Sequence, residues 1–217
     1  MEAIILYILL FFSGTITQVI GAFAGASTQV AAFSPIMELS KLALYIIPSL
    51  ALIWYIMFRT WKLEYWLVRP GKKDVISGLI TFPCLIFIGS AISLIAMYAR
   101  DPTAQVTIQS PSTAIGWIVL CLVCIFSAYL EETFFRFYLL SKRKEMNMSA
   151  THALIFSTAL FSICHISAGP WGFLNAALSG TFLGFMFLRY NSLHGIAIAH
   201  GLYNITSYVL NALINRS

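Results

Sequence analysis

Charge is what this sequence lacks. Only 10% of its 217 residues are Asp, Glu, Lys or Arg, against 59% hydrophobic residues. A typical globular domain carries about 25% charged residues, so an ordinary soluble domain is excluded. Also missing are any repeat, any low-complexity tract and any polar stretch long enough to fold separately. A single domain over residues 1–217 is therefore expected. The first apolar run, MEAIILYILLFF, is preceded by no basic n-region and followed by no small-residue cleavage site, so it is expected to be retained. Cysteine is sparse, and Cys84, Cys121, Cys124 and Cys164 all fall in apolar segments. Cys121 and Cys124 form a CxxC, but CLVCIF offers neither further metal ligands nor a redox context, and the four read as packing residues.

What remains is hydrocarbon. Apolar runs of about 18 residues or more mark membrane-spanning helices, and the mean hydropathy is +0.85. The chain reads as an all-α, polytopic transmembrane bundle of about seven spans. Their expected limits are 3–32, 36–60, 74–99, 114–141, 149–168, 171–189 and 193–213. The formal charge of +5 does not imply nucleic acid, because most Lys and Arg residues lie in short connections. They set topology instead. The connection 59–73 carries Arg59, Lys62, Arg69, Lys72 and Lys73, whereas 100–113 carries Arg100 offset by Asp101. The positive-inside rule puts the first in the cytoplasm, together with Lys142, Arg143, Lys144 and Arg189, the amino terminus inside and the carboxyl terminus outside. Gly21 with Gly25 and Gly180 with Gly184 are small-xxx-small pairs that allow close helix packing.

A few polar residues are left at membrane depth: Glu131, Glu132 and Arg136 in the fourth segment, His165 in the fifth, and His200 with Asn204 in the seventh. Gln18, Gln29 and Asn175 are milder cases. Each ionisable group near the bilayer centre costs at least about 2.5–3.5 kcal/mol, so the set should face a protein interior or a wet cavity. Glu132 and Arg136 are four apart on one helix face, acid first, and are expected to pair. Glu131 is turned about 100° away, with no cation at its i+4 position, so the two carboxylates should take different roles. At 1.5 Å per residue, Glu131 and His165 both lie about 25 Å from a turn centred on Met148, hence level. The same ruler leaves His200 only about 10 Å above Leu193, which is lower than the other two. His152 and His194 fall near helix ends and are expected to be solvated there.

A carboxylate and an imidazole can together deprotonate water, and a second imidazole with an amide can donate to an oxyanion. Hydrolysis is the chemistry that suits the set. Taken singly, each residue has a structural reading: an ion pair, a satisfied core histidine, a helix–helix amide bond.

EETFFR resembles the EExxxR motif of the CAAX-protease and bacteriocin-processing (Abi) membrane proteins. FSICH, from Phe161 to His165, resembles their FxxxH motif, and HGLYN, from His200 to Asn204, their HxxxN motif. The lead-in GTFLGFMFLRYNSLHGIAIAH is similar as well, and the resemblance spans roughly residues 115–210. It implies an intramembrane endopeptidase whose active site, between the fourth, fifth and seventh helices, opens to the cytosol. Glu131 would be the general base, His165 would assist it, His200 with Asn204 would form the oxyanion hole, and Glu132 with Arg136 would support them. Such proteins are often labelled metalloproteases. A mechanism requiring no cofactor is preferred here, since HExxH is absent; a zinc ion, if present, would draw on Glu131, His165 and His200. The partners implied are the bilayer and a peptide or membrane-protein substrate, in a prokaryotic plasma membrane. Phe134, Phe135, Phe137 and Tyr138 could line an apolar groove, but most of them are expected to face lipid. A transporter relaying protons through Glu131, His165 and His200, and a non-catalytic membrane adaptor, are the rival readings.

Overall fold

The computed structural model describes residues 2–12, 16, 33–60, 69–100 and 109–214. Among them every regular element is helical, as expected. Helix α1 runs from Glu2 to Phe12, its last five residues in π geometry. Helix α2 comprises Pro35–Lys41, a π stretch Leu42–Ile46, and Ile47–Thr60. Then come α3, Lys72–Tyr98; α4, Ala114–Glu132 continuing through the π stretch Thr133–Tyr138 to Ser141; α5, Ala150–Ile163; α6, Gly169–Tyr190; and α7, Leu193–Ile214. Residues 13–32 of the first expected span, with Gln18, Gln29, Gly21 and Gly25, lie outside the described residues, apart from Ile16. So do Lys62 and Asp101.

Local chemistry explains the helix starts. A side-chain oxygen at an N-cap satisfies a backbone N–H that the helix leaves unpaired. Thr113 accepts from Gly116 N at 3.1 Å, and Ser149 from His152 N at 3.2 Å. Ser34 does the same for α2, with Pro35 supplying a preset first residue. Helix α6 stops at Asn191, whose φ of 47° is left-handed. Helix α5 ends five residues earlier than expected. His165 leaves the helical region at φ −104°, ψ 8°, a 3-10 turn follows over Ile166–Ala168, and Gly169 at φ 76° redirects the chain.

Among the described residues, four helical stretches are long and apolar enough to cross a membrane: Pro35–Arg59, Lys72–Tyr98, Ala114–Lys144 and Ile166–Tyr190. Their outer faces suit lipid, with Leu44 80% and Phe87 75% exposed. Helix α7 packs against α3 and α4, and α5 against α6. The small-residue reading of Gly180 and Gly184 holds: a Cβ on Gly184 would stand 2.3 Å from Leu154 Cδ1.

The aromatics after the two glutamates correct an expectation. Phe134, Phe135 and Tyr138 are fully buried, and Phe137 nearly so. They face the bundle because α1 and α2 cover them. Phe11 lies 5.1 Å from Phe134 and 4.9 Å from Phe135, and Trp54 lies 5.7 Å from Phe137, ring centre to ring centre. The Tyr7 hydroxyl donates to the Leu160 carbonyl at 3.1 Å, tying α1 to α5. A π stretch leaves carbonyls without their usual helical donors, which in an apolar interior must be met from elsewhere. Ser157 on α5 donates to the Phe135 carbonyl at 2.5 Å, and Tyr45 on α2 to that of Leu10.

Candidate active site

Glu132 and Arg136 pair as their spacing predicts. Arg136 Nη1 donates to Glu132 Oε1 at 3.2 Å, and Nη2 donates to the Gly180 carbonyl at 3.1 Å. Both side chains are all but fully enclosed, and the guanidinium carbon stands 4.2 Å from the centre of the Phe161 ring. The carbonyl is within reach because residue 180 is glycine. A Cβ there would sit 2.8 Å from Phe161 Cδ1 and 3.1 Å from Arg136 Nη2.

His200 joins this pair, against the ruler drawn from sequence. Its Nδ1 is 2.8 Å from Glu132 Oε1, and its Nε2 is 3.8 Å from Glu131 Oε2. The ruler erred because it counted the turn after Ser141 as rising helix. Measured from Ser141, where α4 ends, Glu131 stands about 15 Å up its helix; His200 stands about 10 Å up α7 from Leu193. Side chains bridge the remainder. Glu132 thus holds one imidazole nitrogen and leaves the other facing Glu131. Glu131 keeps 20% of its side chain exposed, whereas Glu132 keeps none. Glu131 Oε2 has no hydrogen-bond partner among the described residues.

His165 and Asn204 stand nearby without joining the cluster. His165 Nδ1 is 2.9 Å from the Phe161 carbonyl oxygen, and its ring centre is 4.6 Å from that of Phe161, which in turn is 6.0 Å from His200. No hydrogen bond or ion pair joins His165 to Glu131 among the described residues. Its φ and ψ fall in the bridge region, where active-site residues are often found. Asn204 is half-buried one turn beyond His200 on the same face of α7.

Sequence reasoning missed two features. Phe161, named from the sequence only as the first residue of FSICH, is the hub against which Arg136, His165 and His200 all rest. His194, expected to be solvated, has Nδ1 3.1 Å from the Tyr129 hydroxyl, one turn before Glu132. Among the described residues no three His, Cys, Asp or Glu side chains stand together as a ligand set. Glu131, His165 and His200 do not form such a set.

Residues 112–206, somewhat less than half of the chain, match the family model described as Type II CAAX prenyl endopeptidase Rce1-like. The resemblance carried by EETFFR, FSICH and HGLYN is thereby shown over α4 to α7. Helices α1 to α3 lie outside the match. Neither the search of curated proteins nor that of solved structures gives a match.

Proposed function

We propose that this protein, which carries the helices of a CAAX-endopeptidase-like protease, is an intramembrane endopeptidase that hydrolyses a peptide bond of a membrane-associated protein or peptide. It spans the membrane seven times, with the amino terminus and the site's opening on the cytoplasmic side of a prokaryotic plasma membrane. The observation that carries the reading is the placement of His200 between two carboxylates of unlike surroundings. Glu132, neutralised by Arg136, orients the ring, and Glu131 is left to act.

Two atoms 3.8 Å apart, Glu131 Oε2 and His200 Nε2, can both lie within hydrogen-bond distance of one water set to their side. Glu131 takes a proton from that water as its oxygen attacks the scissile carbonyl carbon. With both ring nitrogens protonated, His200 donates Nδ1–H to Glu132 and Nε2–H to the developing oxyanion. Two carboxylates, one guanidinium and one imidazolium are then neutral together, which suits a site in hydrocarbon. The Asn204 amide supplies a second oxyanion donor. His165 assists the return of the proton to the departing amine, and the C–N bond breaks. No cofactor is required.

Comparing membrane-proximal peptide termini in cells carrying the wild-type protein and Glu131→Ala at equal abundance tests this reading. Termini present only with the wild type support it. Identical termini in both would hand the buried cluster to ion flux or to partner binding.

A further inference from the structure

Asp74 opens α3 and is buried, with both carboxylate oxygens engaged. Oδ2 accepts from Gly71 N at 2.8 Å and so caps its own helix. Oδ1 accepts from the Ser192 hydroxyl at 2.6 Å and, more weakly, from Gly195 N at 3.4 Å, both in the first turn of α7 or just before it. Ser77, fully buried one turn on, has its Oγ 2.6 Å from Ser192 Oγ. Lys73 Nζ donates to the Asn191 carbonyl at 2.8 Å. One carboxylate therefore closes two helix starts and meets the positive ends of both helix dipoles.

The backbones are as close as the chemistry requires. A Cβ on Gly195 would stand 2.1 Å from Ser77 Oγ and 2.2 Å from the Asp74 carbonyl oxygen. Higher up, Tyr203 lies over Gly89 of α3, where a Cβ would meet its hydroxyl at 2.3 Å. His200 lies between these two contacts, five residues beyond Gly195, or about 7.5 Å along α7. None of α3 falls within the matched segment.

We propose that Asp74 is a positioning residue for the reaction: by capping α7 across the interface, it fixes the height and rotation at which His200 meets Glu131 and Glu132. The kinetic consequence rests on the peptidase reading; the geometric one does not. A displacement of His200 would loosen both its contacts, since each is set by the same helix.

Wild-type protein, Asp74→Asn and Ser192→Ala are compared in proteoliposomes with a membrane-anchored peptide. Both variants are expected to lower kcat about tenfold or more, the range for lost support behind a site residue. KM should stay within about twofold, because substrate contacts are untouched. The side-chain nitrogen resonances of His200, identified by their loss in His200→Gln, should move in both variants while the thermal midpoint changes little. Unmoved His200 resonances in either folded variant overturn the proposal, as does wild-type kcat in Asp74→Asn. If the Asn variant does not fold, Ser192→Ala decides by the same resonances. If the wild type itself cleaves nothing, the peptidase reading fails, and the resonances still decide the part played by Asp74.

Discussion

The Nδ1 atom of His200 and Oε1 of Glu132 stand 2.8 Å apart, on the carboxylate oxygen that Arg136 also reaches. A residue that pairs a buried guanidinium and orients an imidazole carries more of the fold than its neighbour. Glu131, partly exposed and facing Nε2 at 3.8 Å, carries less of the fold, and in the proposed reaction it is the base.

The two adjacent glutamates should therefore separate stability from activity. Glu132→Ala leaves Arg136 buried without its counter-charge and should cost about 3–5 kcal/mol in unfolding measurements. Glu131→Gln should change stability by less than about 1 kcal/mol yet lower peptide hydrolysis by about a hundredfold or more. Equal destabilisation by both would remove the division of roles.

Gly180→Ala should destabilise by about 1–3 kcal/mol, since the added methyl would press on Phe161 and the Arg136 guanidinium. Gly71→Ala is the control. Among the described residues no atom lies within 4 Å of a Cβ there, and the backbone is extended, so the loss should stay below about 1 kcal/mol. Thermal unfolding in one detergent compares them directly.

A third expectation concerns acid. Glu2, at the foot of α1, accepts from the Tyr138 hydroxyl at 2.5 Å and faces Lys142 Nζ at 3.0 Å. The Tyr138 hydrogen bond first, and Lys142 after it, hold its carboxyl below the ordinary value of 4.5. A carboxyl depressed in the folded state adds stability in full above its unfolded value and loses it as pH falls through the folded one. Unfolding midpoints of the wild type should therefore drop more steeply below about pH 4.5 than those of Glu2→Gln. Parallel curves would show that the contact adds nothing.

Dialysis against a chelator should leave peptide hydrolysis unchanged, and added zinc should not raise it. The basis is that the proposed reaction routes no step through a metal, and that His165 Nδ1 rests on the Phe161 carbonyl with no bond to Glu131 among the described residues. Activity lost with the metal and restored by it would overturn the cofactor-free mechanism.

Much of this was legible in the residues. Apolar runs gave the helices, and α7, expected over 193–213, runs from Leu193 to Ile214. The Glu132–Arg136 pair followed from spacing alone. Other features had no local signal. Nothing in TFFRFY marks a π stretch, and so the inward turn of its rings was not foreseen. FSICHISA holds no breaker before Gly169, which hid the early end of α5. Asp74 reads as an ordinary polar residue at a helix start, and its second partner lies more than a hundred residues away.

The close approach of α3 and α7 has a mechanical meaning. Where Gly78 and Gly195 face one another, a Cβ on the former would stand 3.3 Å from the carbonyl oxygen of the latter, so no side chain lies between the backbones to swing aside. Sliding these helices would strip the caps from both and open a void in hydrocarbon, where no solvent refills it. They form the stiff wall of the bundle. The contact of α1 and α2 with α4 is built differently, of ring on ring rather than backbone on backbone, Phe11 on Phe134 and Trp54 on Phe137.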